Sequence, residues 1–528
     1  MTNLLQVAWA LPVGLLAAAV VARLRFLRRL AHIPGPPHTF LLGNLTMMRG
    51  PPAFPFAFFP QRHLFLRALH ARYGPVVRLV LPAGRGALVF FAKAEPMLEP
   101  FFKDSLAFPM RPSAPRVLER GLLAVPTGDV SRAHRAALSP ALSTRALRHY
   151  TPALNRHASA LCTHLAARAQ GGHGDVEVHR PLSASTLDVI GEIGFGARFG
   201  ALDGCEPGAA PSPFLGAANM LLSGVIAMVP WPLPVTRLVR ALPLALQPRS
   251  QRELRGALRT YEGAARAFFA EASAAAAPTA GGAAAQLDGG SPAPSELPPR
   301  TFLEALAAAR LSYAEAVDEI ITLLLAGHET TANTLSWALH LLAAHPAEQA
   351  AARAELEAAC PNGEPPNVDS LPKLTHLRGC VYEALRLFPT VPNVPRLCAR
   401  DAIIGDVLVP AGTICFHAVA AGARDGSEFA EPDAFRPARH AHLPDGGSAA
   451  WLPFGAGPRK CIGYRLAELE AVTFLAALLR RFELLPPSAA APLLGEHTDA
   501  TLGPKLTGLH VRLKPRALVE GGLASRES

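Results

Sequence analysis

The segment from Phe454 to Gly463 constrains the fold of this chain more than any other. It reads Phe-Gly-Ala-Gly-Pro-Arg-Lys-Cys-Ile-Gly, so that Cys461 lies in a glycine-rich loop directly before a helical pattern beginning at Tyr464. The free N–H groups and the partial positive charge at the start of a helix favour a thiolate over a thiol. The sequence therefore predicts a loop that presents a cysteine thiolate at a fixed position.

The residues around this cysteine indicate which ligand the loop would bind. Gly457 and Gly463 allow the backbone to approach a large flat molecule closely, and Arg459 offers a cation to a carboxylate. Zinc and iron–sulfur sites need several thiolates, whereas this loop holds only Cys461. These features favour an axial thiolate ligand to haem iron.

A second constraint is a predicted helix of more than thirty residues. A Ser312-x-x-Glu315 pattern is typical of a capping box, and the apolar pattern continues from there to Pro346. At ~1.5 Å per residue this helix would be about 50 Å long, enough to cross a whole domain. In its middle lies Ala326–Thr331, where Thr330 can donate a hydrogen bond to the carbonyl four residues earlier. A turn weakened in this way, with a carboxylate beside the hydroxyl, is suited to proton delivery.

The cysteine loop resembles the haem-binding signature of the cytochrome P-450 superfamily, in its membrane-anchored microsomal form. The residues that match the spacing of this signature are Phe454, Gly457, Arg459, Cys461 and Gly463. The resemblance implies haem b as cofactor and Cys461 as the axial iron ligand, whose thiolate favours O–O cleavage.

The middle of the long helix resembles the distal acid–alcohol motif of the same family. By that resemblance Glu329 and Thr330 are catalytic and deliver protons during the activation of dioxygen. Ala326 and Gly327 would leave room for dioxygen, and His328 stands at a variable position of the motif without a ligand role.

Glu383 and Arg386 resemble the Glu-x-x-Arg motif of the family. Their spacing places them on one helix face, where a plain surface pair would contribute ~0.3–0.5 kcal/mol. In the family a further arginine completes the motif, and Arg439 matches it. Ala438 and His440 stand where the family more often has an acid and an aromatic residue. The resemblance implies a structural role for the three residues.

Two further arginines match family positions that bind the haem propionates. Arg396 follows Val394 and Pro395, and Arg135 ends a segment that takes the place of a Trp-x-x-x-Arg motif. Ser131 replaces the tryptophan of that motif. With Arg459 from the cysteine loop, the resemblance implies three cations for two propionates.

The beginning of the chain predicts a membrane anchor. The 19 residues from Leu4 to Ala22 carry no charge, and a helix of this length would span about 28 Å, close to the thickness of a bilayer core. Four arginines follow, at positions 23, 25, 28 and 29. By the positive-inside rule this end faces the cytosol. We therefore expect an anchor with its arginine-rich flank over residues 1–30 and a haem-thiolate monooxygenase domain over residues 31–528.

The expected fold is mainly α with a smaller β region, forming one large cytochrome P-450-like domain. Helical periodicity covers residues 62–72 and 131–170, and short strands are predicted at 76–81 and 86–91. The Ala/Gly/Ser/Pro-rich stretch 272–299 is predicted to be a flexible surface loop. It is not expected to divide two domains, because the motifs on either side of it must converge on one haem.

Composition excludes other classes of protein. The net charge is +10, but the basic residues are spread out and form no run interleaved with aromatic residues, so nucleic acid is not expected as a partner. The seven cysteines are an odd number without a Cys-x-x-Cys pair, which argues against a disulfide framework or a zinc ribbon.

The resemblance implies an enzyme that inserts one oxygen atom from O2 into a hydrophobic small molecule. Electrons would come from NADPH through a separate diflavin reductase, whose acidic docking surface would suit the positive charge of this chain. The expected location is the endoplasmic reticulum membrane, in contact with lipid through one span, with the catalytic domain in the cytosol. A plastid membrane is the alternative location.

Two other functions stay open. One is an electron-independent hydroperoxide isomerase or dehydratase of the same superfamily, a class that often lacks the acid–alcohol pair. The other is a non-enzymatic haem-binding sensor or carrier, which needs neither proton delivery nor a reductase. The expected walls of a substrate pocket are Leu325, Ala326, Val391, Val394 and the segments around 108–125 and 498–505.

Overall fold

The computed structural model describes most of the chain. The described residues are 2–44, 62–82, 86–102, 108–109, 120–170, 174–227, 249–276, 301–309, 311–441, 451–491, 497–498, 501–504 and 508–516, and for residues 2–13 only the backbone is described. Parts of two predicted pocket walls, 110–119 and 499–500 with 505, lie outside these residues.

Helices dominate the described residues. In chain order they are α1 (Thr2–Leu30), α2 (Arg62–Tyr73), α3 (Glu95–Phe102), α4 (Asp129–Leu138), α5 (Thr144–Gln170), α6 (His179–Phe195), α7 (Pro213–Ala227), α8 (Arg249–Ala276), α9 (Phe302–Ala308), α10 (Tyr313–Ala344), α11 (Pro346–Ala359), α12 (Thr375–Leu387), α13 (Val419–Gly422) and α14 (Tyr464–Arg481). The prediction of a mainly α fold with a smaller β region is confirmed.

The strands are short and form small sheets at the side of the helices. They are β1 (Val76–Val80), β2 (Ala87–Phe91), β3 (Asp175–Glu177), β4 (Val394–Leu397), β5 (Ala402–Ile404), β6 (Val407–Val409), β7 (Ile414–His417), β8 (Phe482–Leu485), β9 (His497–Thr498), β10 (Leu502–Gly503) and β11 (His510–Pro515). The largest sheet has the order β1-β2-β7-β4, with β2 and β7 parallel and the other neighbours antiparallel. A second sheet has the order β3-β11-β8, and β5–β6 and β9–β10 are two-stranded pairs.

Helix α10 is the central element of the helical core. Its capping box is present: the Ser312 hydroxyl accepts a hydrogen bond from the Glu315 N–H at 3.3 Å, and the Glu315 carboxylate accepts one from the Ser312 N–H at 2.8 Å. The helix packs against α6, α8, α12 and α14, and side chains such as Leu324, Leu335 and Trp337 are fully buried. A helix that is apolar on nearly all sides needs neighbours on all sides, which is why α10 lies in the middle of the domain.

Two predicted elements have different limits in the structure. The helical stretch predicted over 131–170 is two helices, because Pro140 lacks an N–H and the chain forms a 3₁₀ turn at Ser139–Leu142. The predicted loop 272–299 begins inside α8, which runs to Ala276 because its last residues are mostly alanines, the best helix formers. The rest of that predicted loop lies outside the described residues.

The C-terminal end of α1 is attached to the strands. A guanidinium nitrogen of Arg23 donates a hydrogen bond to the Leu81 carbonyl at 2.6 Å, and Arg29 forms an ion pair with Asp401. Leu30 and Ile33 are buried against β2. Where side chains are described, from residue 14 onward in α1, the structure contains no helix that is long and apolar enough to cross a membrane.

Gly422 at the end of α13 tests how tightly the helices pack on the largest sheet. A Cβ atom at this position would lie 1.9 Å from the backbone oxygen of Ala92, just after β2. We expect Gly422→Ala to lower the free energy of unfolding by ~1–3 kcal/mol, because backbone cannot move aside as a side chain can. Chemical denaturation of the purified protein measures this change.

Gly426 provides the control, because a Cβ atom there would meet nothing within 4 Å. Gly426→Ala should leave the unfolding transition in place. Equal effects of the two substitutions would contradict the packing described for Gly422.

Candidate active site

Backbone hydrogen bonds hold the cysteine loop in one conformation. The Cys461 N–H donates to the Phe454 carbonyl at 2.8 Å, and the Lys460 N–H donates to the Gly457 carbonyl at 3.0 Å. Gly457 has a φ of +65°, a conformation that favours glycine. Gly463 is the N-cap residue of α14. The loop therefore ends on a helix N-terminus, as the sequence predicts.

Cys461 is open to solvent on one side and is densely surrounded by protein on its other sides. This dense surrounding raises the pKa of the thiol. The Gly463 N–H donates to the sulfur, and this hydrogen bond and the charges of Arg135 and Lys460 oppose the rise. Desolvation and the nearby donors and cations therefore act on this thiol in opposite directions.

Each of three arginines lies close enough to Cys461 or to another of the three for their charges to interact. Burial and the charge of Arg135 lower the pKa of Arg459 to about 10, and burial and the charge of Arg459 lower the pKa of Arg396 to about 10. Burial lowers the pKa of Arg135, and the charge of Cys461 only partly opposes this decrease. The structure thus brings Arg135, Arg396, Arg459 and Cys461 into one region.

The donors of this region fit a haem with its two carboxylates. Nη1 of Arg459 is buried and has no hydrogen-bond partner among the described residues. A group of partly buried cations is stabilised by an anion that accepts hydrogen bonds from several of them. Cys461 offers a sulfur ligand to iron, and a Cβ atom on Gly455 or Gly463 would meet nothing within 4 Å, so the loop backbone has open space beside it.

The distal motif on α10 has two faces. Thr330 is half-buried, and its hydroxyl donates to the Ala326 carbonyl at 2.8 Å, the bond expected from the sequence. Ala326 is exposed, so these two residues border the same open region. Glu329 is buried. The pKa of Tyr261 on α8 is raised mainly by the burial of Tyr261 and further by the charge of Glu329. Glu329 and Thr330 therefore lie at neighbouring positions of the helix with different surroundings.

Gly327 has a different neighbour from the one expected. A Cβ atom on Gly327 would lie 2.9 Å from side-chain atoms of Ile190, so the missing side chain allows α6 to pack closely on α10. Of the predicted pocket walls, Leu325 is buried in the core, whereas Ala326 and Val391 are exposed and Val394 is half-buried. The Leu502 N–H, in a further predicted wall, donates to the Thr390 carbonyl at 2.9 Å.

Glu383 is the centre of a buried charge network. Arg386 donates two hydrogen bonds to its carboxylate, both at 2.8 Å, and Arg439 donates one at 2.9 Å. Burial would raise the pKa of Glu383, but the hydrogen bonds from Arg386 and His440 and the charge of Arg386 outweigh it and lower this pKa to about 2. The structure thus brings together the three residues predicted to be structural.

His440 is a fourth member of this network that the sequence did not reveal. Its Nε2 lies 2.7 Å from a carboxylate oxygen of Glu383, and its ring lies 5.2 Å from that of Trp451. A histidine in place of the family's usual aromatic residue was the one signal available in the sequence. Its imidazole can pack against an aromatic ring and also contact the carboxylate.

A second unpredicted pair joins α4 to α10. Nδ1 of His134 lies 2.5 Å from Oε1 of Glu319, and both side chains are buried. In sequence the two residues are 185 positions apart, so no local pattern indicates the pair.

Comparisons with known proteins show which sequences this chain resembles. A sequence model of the Cytochrome P450 family matches residues 33–511, which is most of the chain. A similar protein from Homo sapiens is named 25-hydroxyvitamin D-1 alpha hydroxylase, mitochondrial, and is 43% identical over 177 residues, 33% of this chain and 35% of the relative.

Two other relatives come from different organisms. Cytochrome P450 3A6 of Oryctolagus cuniculus is 38% identical over 170 residues, 32% of this chain and 34% of the relative. Cytochrome P450 734A5 of Oryza sativa subsp. japonica is 39% identical over 200 residues, 37% of each chain. In these matches the chain spans about a third of the length of the relatives.

The Glu383 network predicts a defined dependence of stability on pH. Glu383→Gln removes the negative charge between buried cations, and we expect it to lower the free energy of unfolding by ~3–5 kcal/mol at pH 7. Because the pKa of Glu383 is lowered to about 2, its contribution is present above the ordinary value of 4.5 and is lost as the pH falls toward 2. The difference between wild type and variant should therefore shrink over this range in urea denaturation.

The exposed pair of Arg148 and Asp369 provides the control. Asp369→Asn should leave the free energy of unfolding unchanged at pH 7. A pH-independent difference for Glu383→Gln would contradict the charge network as its cause.

Proposed function

The chain belongs to the cytochrome P450 family, and from this premise we propose that it is a haem-thiolate monooxygenase. It inserts one oxygen atom of O2 into a hydrophobic small molecule and receives electrons from NADPH through a separate diflavin reductase. The observation that carries the proposal is the accessible sulfur of Cys461 beside three partly buried arginines.

In this proposal haem b binds between the cysteine loop and α10. Cys461 would provide the thiolate ligand to its iron, Phe454, Gly457 and Gly463 would shape the loop that presents this thiolate, and Arg135, Arg396 and Arg459 would bind its carboxylates. When bound, haem supplies the iron centre at which dioxygen is activated. Nη1 of Arg459 is buried and no described residue satisfies it, which supports this placement because a carboxylate would accept its hydrogen bond.

Thr330 and Glu329 are the proposed proton donors. The Thr330 hydroxyl lies at the open face of α10 and already bonds to the Ala326 carbonyl, so a small rotation can present it to a reacting group. Glu329 is its buried neighbour on the helix and can hold a proton away from bulk solvent. This pair favours the monooxygenase over the hydroperoxide isomerase, a class that often lacks the acid–alcohol pair, and over the non-enzymatic carrier, which needs no proton delivery.

The proposed redox partner is an acidic diflavin reductase. Arg465 is exposed on the first turn of α14, and Lys460 precedes Cys461 and lies 4.1 Å from the centre of the Tyr464 ring. Basic side chains this near the sulfur ligand, with the net charge of +10, suit an acidic docking surface.

The proposed location is a membrane surface, with residues 1–30 as a single-pass anchor in the endoplasmic reticulum and the catalytic domain in the cytosol. Leu15, Leu16 and Val20 of α1 are exposed apolar residues, and the exposed Arg25 and Arg28 follow them. Membrane lipid would cover the apolar residues, and the arginines suit the cytosolic side. Two alternative locations remain to be tested. One is the mitochondrion, which the name of one relative contains, and the other is a plastid membrane.

The proposed substrate is hydrophobic. Ala326 and Val391, two of the predicted pocket walls, are both exposed, and neither offers a charge to a substrate. One relative is named as a hydroxylase of 25-hydroxyvitamin D, a name that agrees with a lipophilic substrate class.

The ligation by Cys461 has a spectroscopic test. The haem-bound protein, reduced and exposed to carbon monoxide, should absorb at the position diagnostic of thiolate ligation, and Cys461→His should move this band to the imidazole position. Cys360 is buried in the core, so Cys360→Ala should keep the thiolate band. An imidazole-type spectrum of the wild type would contradict the assignment.

The role of Thr330 has a kinetic test in the presence of reductase. We expect Thr330→Ala to consume NADPH but to form severalfold less product per NADPH and more hydrogen peroxide, because proton delivery is lost. Ser336 makes the same type of bond to the Ala332 carbonyl on a buried face, so Ser336→Ala should stay coupled. Turnover of fatty hydroperoxides without NADPH, unaffected by Thr330→Ala, would support the isomerase instead.

A further inference from the structure

Residues 120–122 connect α10 to the cysteine loop. The Arg120 N–H donates to Oδ2 of Asp318 at 3.0 Å. Burial raises the pKa of the neighbouring Glu319, and the Leu122 N–H is among the groups that oppose this rise. On the other side, Arg459 donates through Nη2 to the Leu122 carbonyl at 2.6 Å. We name residues 120–122 the strut, because both of its ends are held by charged side chains.

The strut has little freedom to move along α10. A Cβ atom on Gly121 would lie 2.1 Å from the Thr322 hydroxyl oxygen and 3.0 Å from the Asp318 carbonyl oxygen. The Thr322 hydroxyl is itself bonded to that carbonyl at 2.7 Å. The backbone of the strut therefore touches α10 directly, and a displacement of this turn of α10 would displace Leu122 with it.

Glu319 is held from a third direction by α4. His134 contacts Oε1 of Glu319 through Nδ1 at 2.5 Å, and its Nε2 lies 3.6 Å from Oε1 of Glu315. Burial would lower the pKa of His134, but the hydrogen bond and charge of Glu319 raise it overall. Arg135, a proposed carboxylate ligand, is the next residue of α4.

We propose that Glu319 and His134 are positioning residues that fix the guanidinium groups of Arg459 and Arg135 toward the carboxylates of the bound haem. Glu319 acts on Arg459 through Leu122 and also through its charge, which partly offsets the lowered pKa of Arg459. His134 orients Glu319 and sets the position of α4, and with it that of Arg135. This inference rests on the proposed function, because it assumes that the ligand is haem.

The test uses the full-length apoprotein, hemin as the probe and a double-mutant cycle. We expect Glu319→Gln to weaken hemin binding about tenfold, because the glutamine holds Leu122 and His134 less firmly and has no charge near Arg459. Arg459→Gln should weaken binding similarly, and adding Glu319→Gln to it should change binding less than twofold. Titration followed by the Soret absorbance measures these affinities, and the reduction potential of the bound haem should rise in Glu319→Gln.

Glu315 offers a matched control, since it lies one turn away, faces the same histidine and makes no contact with the strut in the contacts described above. Glu315→Gln should leave both hemin affinity and reduction potential at the wild-type values. Additive effects in the cycle, or an equal effect of Glu315→Gln, would overturn the positioning role and leave Glu319 with a general structural role.

A third variant covers the case in which Glu319→Gln does not fold. Gly121→Ala moves the strut without touching either side chain of the pair, and it should also be non-additive with Arg459→Gln. Wild-type protein that binds no hemin would contradict the proposed function itself. Wild-type protein that binds hemin, with additive losses in both cycles, would contradict only this inference.

Discussion

The arrangement of the site depends on the hydrogen bonds and ion pairs made by the buried carboxylate of Glu383. Arg386 bonds to it from within α12, while Arg439, His440 and the Arg436 N–H reach it from a segment about fifty residues later. Arg386 also donates to the carbonyls of Ala423, Pro432 and Ala434, so the chain between α13 and residue 440 wraps around one ion pair. That segment precedes the cysteine loop in the chain. Its position is fixed because the buried carboxylate of Glu383 would be costly without the donors that the segment supplies.

Two charge clusters, one around Glu383 and one of three arginines, differ in how completely the described protein groups satisfy them. In the Glu383 cluster the carboxylate receives donors from several directions, and its low pKa reports this. In the cluster of Arg135, Arg396 and Arg459, the charge of Arg135 lowers the pKa of Arg459 and the charge of Arg459 lowers that of Arg396. Arg459 also has a buried donor that no described residue satisfies. In the first arrangement protein groups alone satisfy the carboxylate, and the cluster serves the fold. The second gains stability from an anionic ligand, which is why we interpret it as a binding site.

Helix α10 connects the two sides of the proposed site because its faces carry different residues. Thr330 and Ala326 lie on the open face, Gly327 gives α6 room to approach, and Glu319 reaches α4 and the strut. A displacement of the first half of α10 would therefore alter the positions of the arginines through backbone and charge contacts. These contacts do not involve the residues of the open face. The proposed proton donors and the proposed carboxylate ligands are thus coupled to one rigid element.

The sequence by itself determined the features whose interactions lie within a few residues. The capping box at Ser312, the Thr330 hydrogen bond, the cysteine at the start of α14 and the mainly helical fold follow from spacing, because helix geometry places residues three and four apart together. Resemblance to a family added the long-range group of Glu383, Arg386 and Arg439. Only the tertiary structure decided that Gly327 faces Ile190, that His440 joins Glu383 and that His134 meets Glu319. Those contacts join residues far apart in the chain, and they depend on how whole helices pack, which no local pattern encodes.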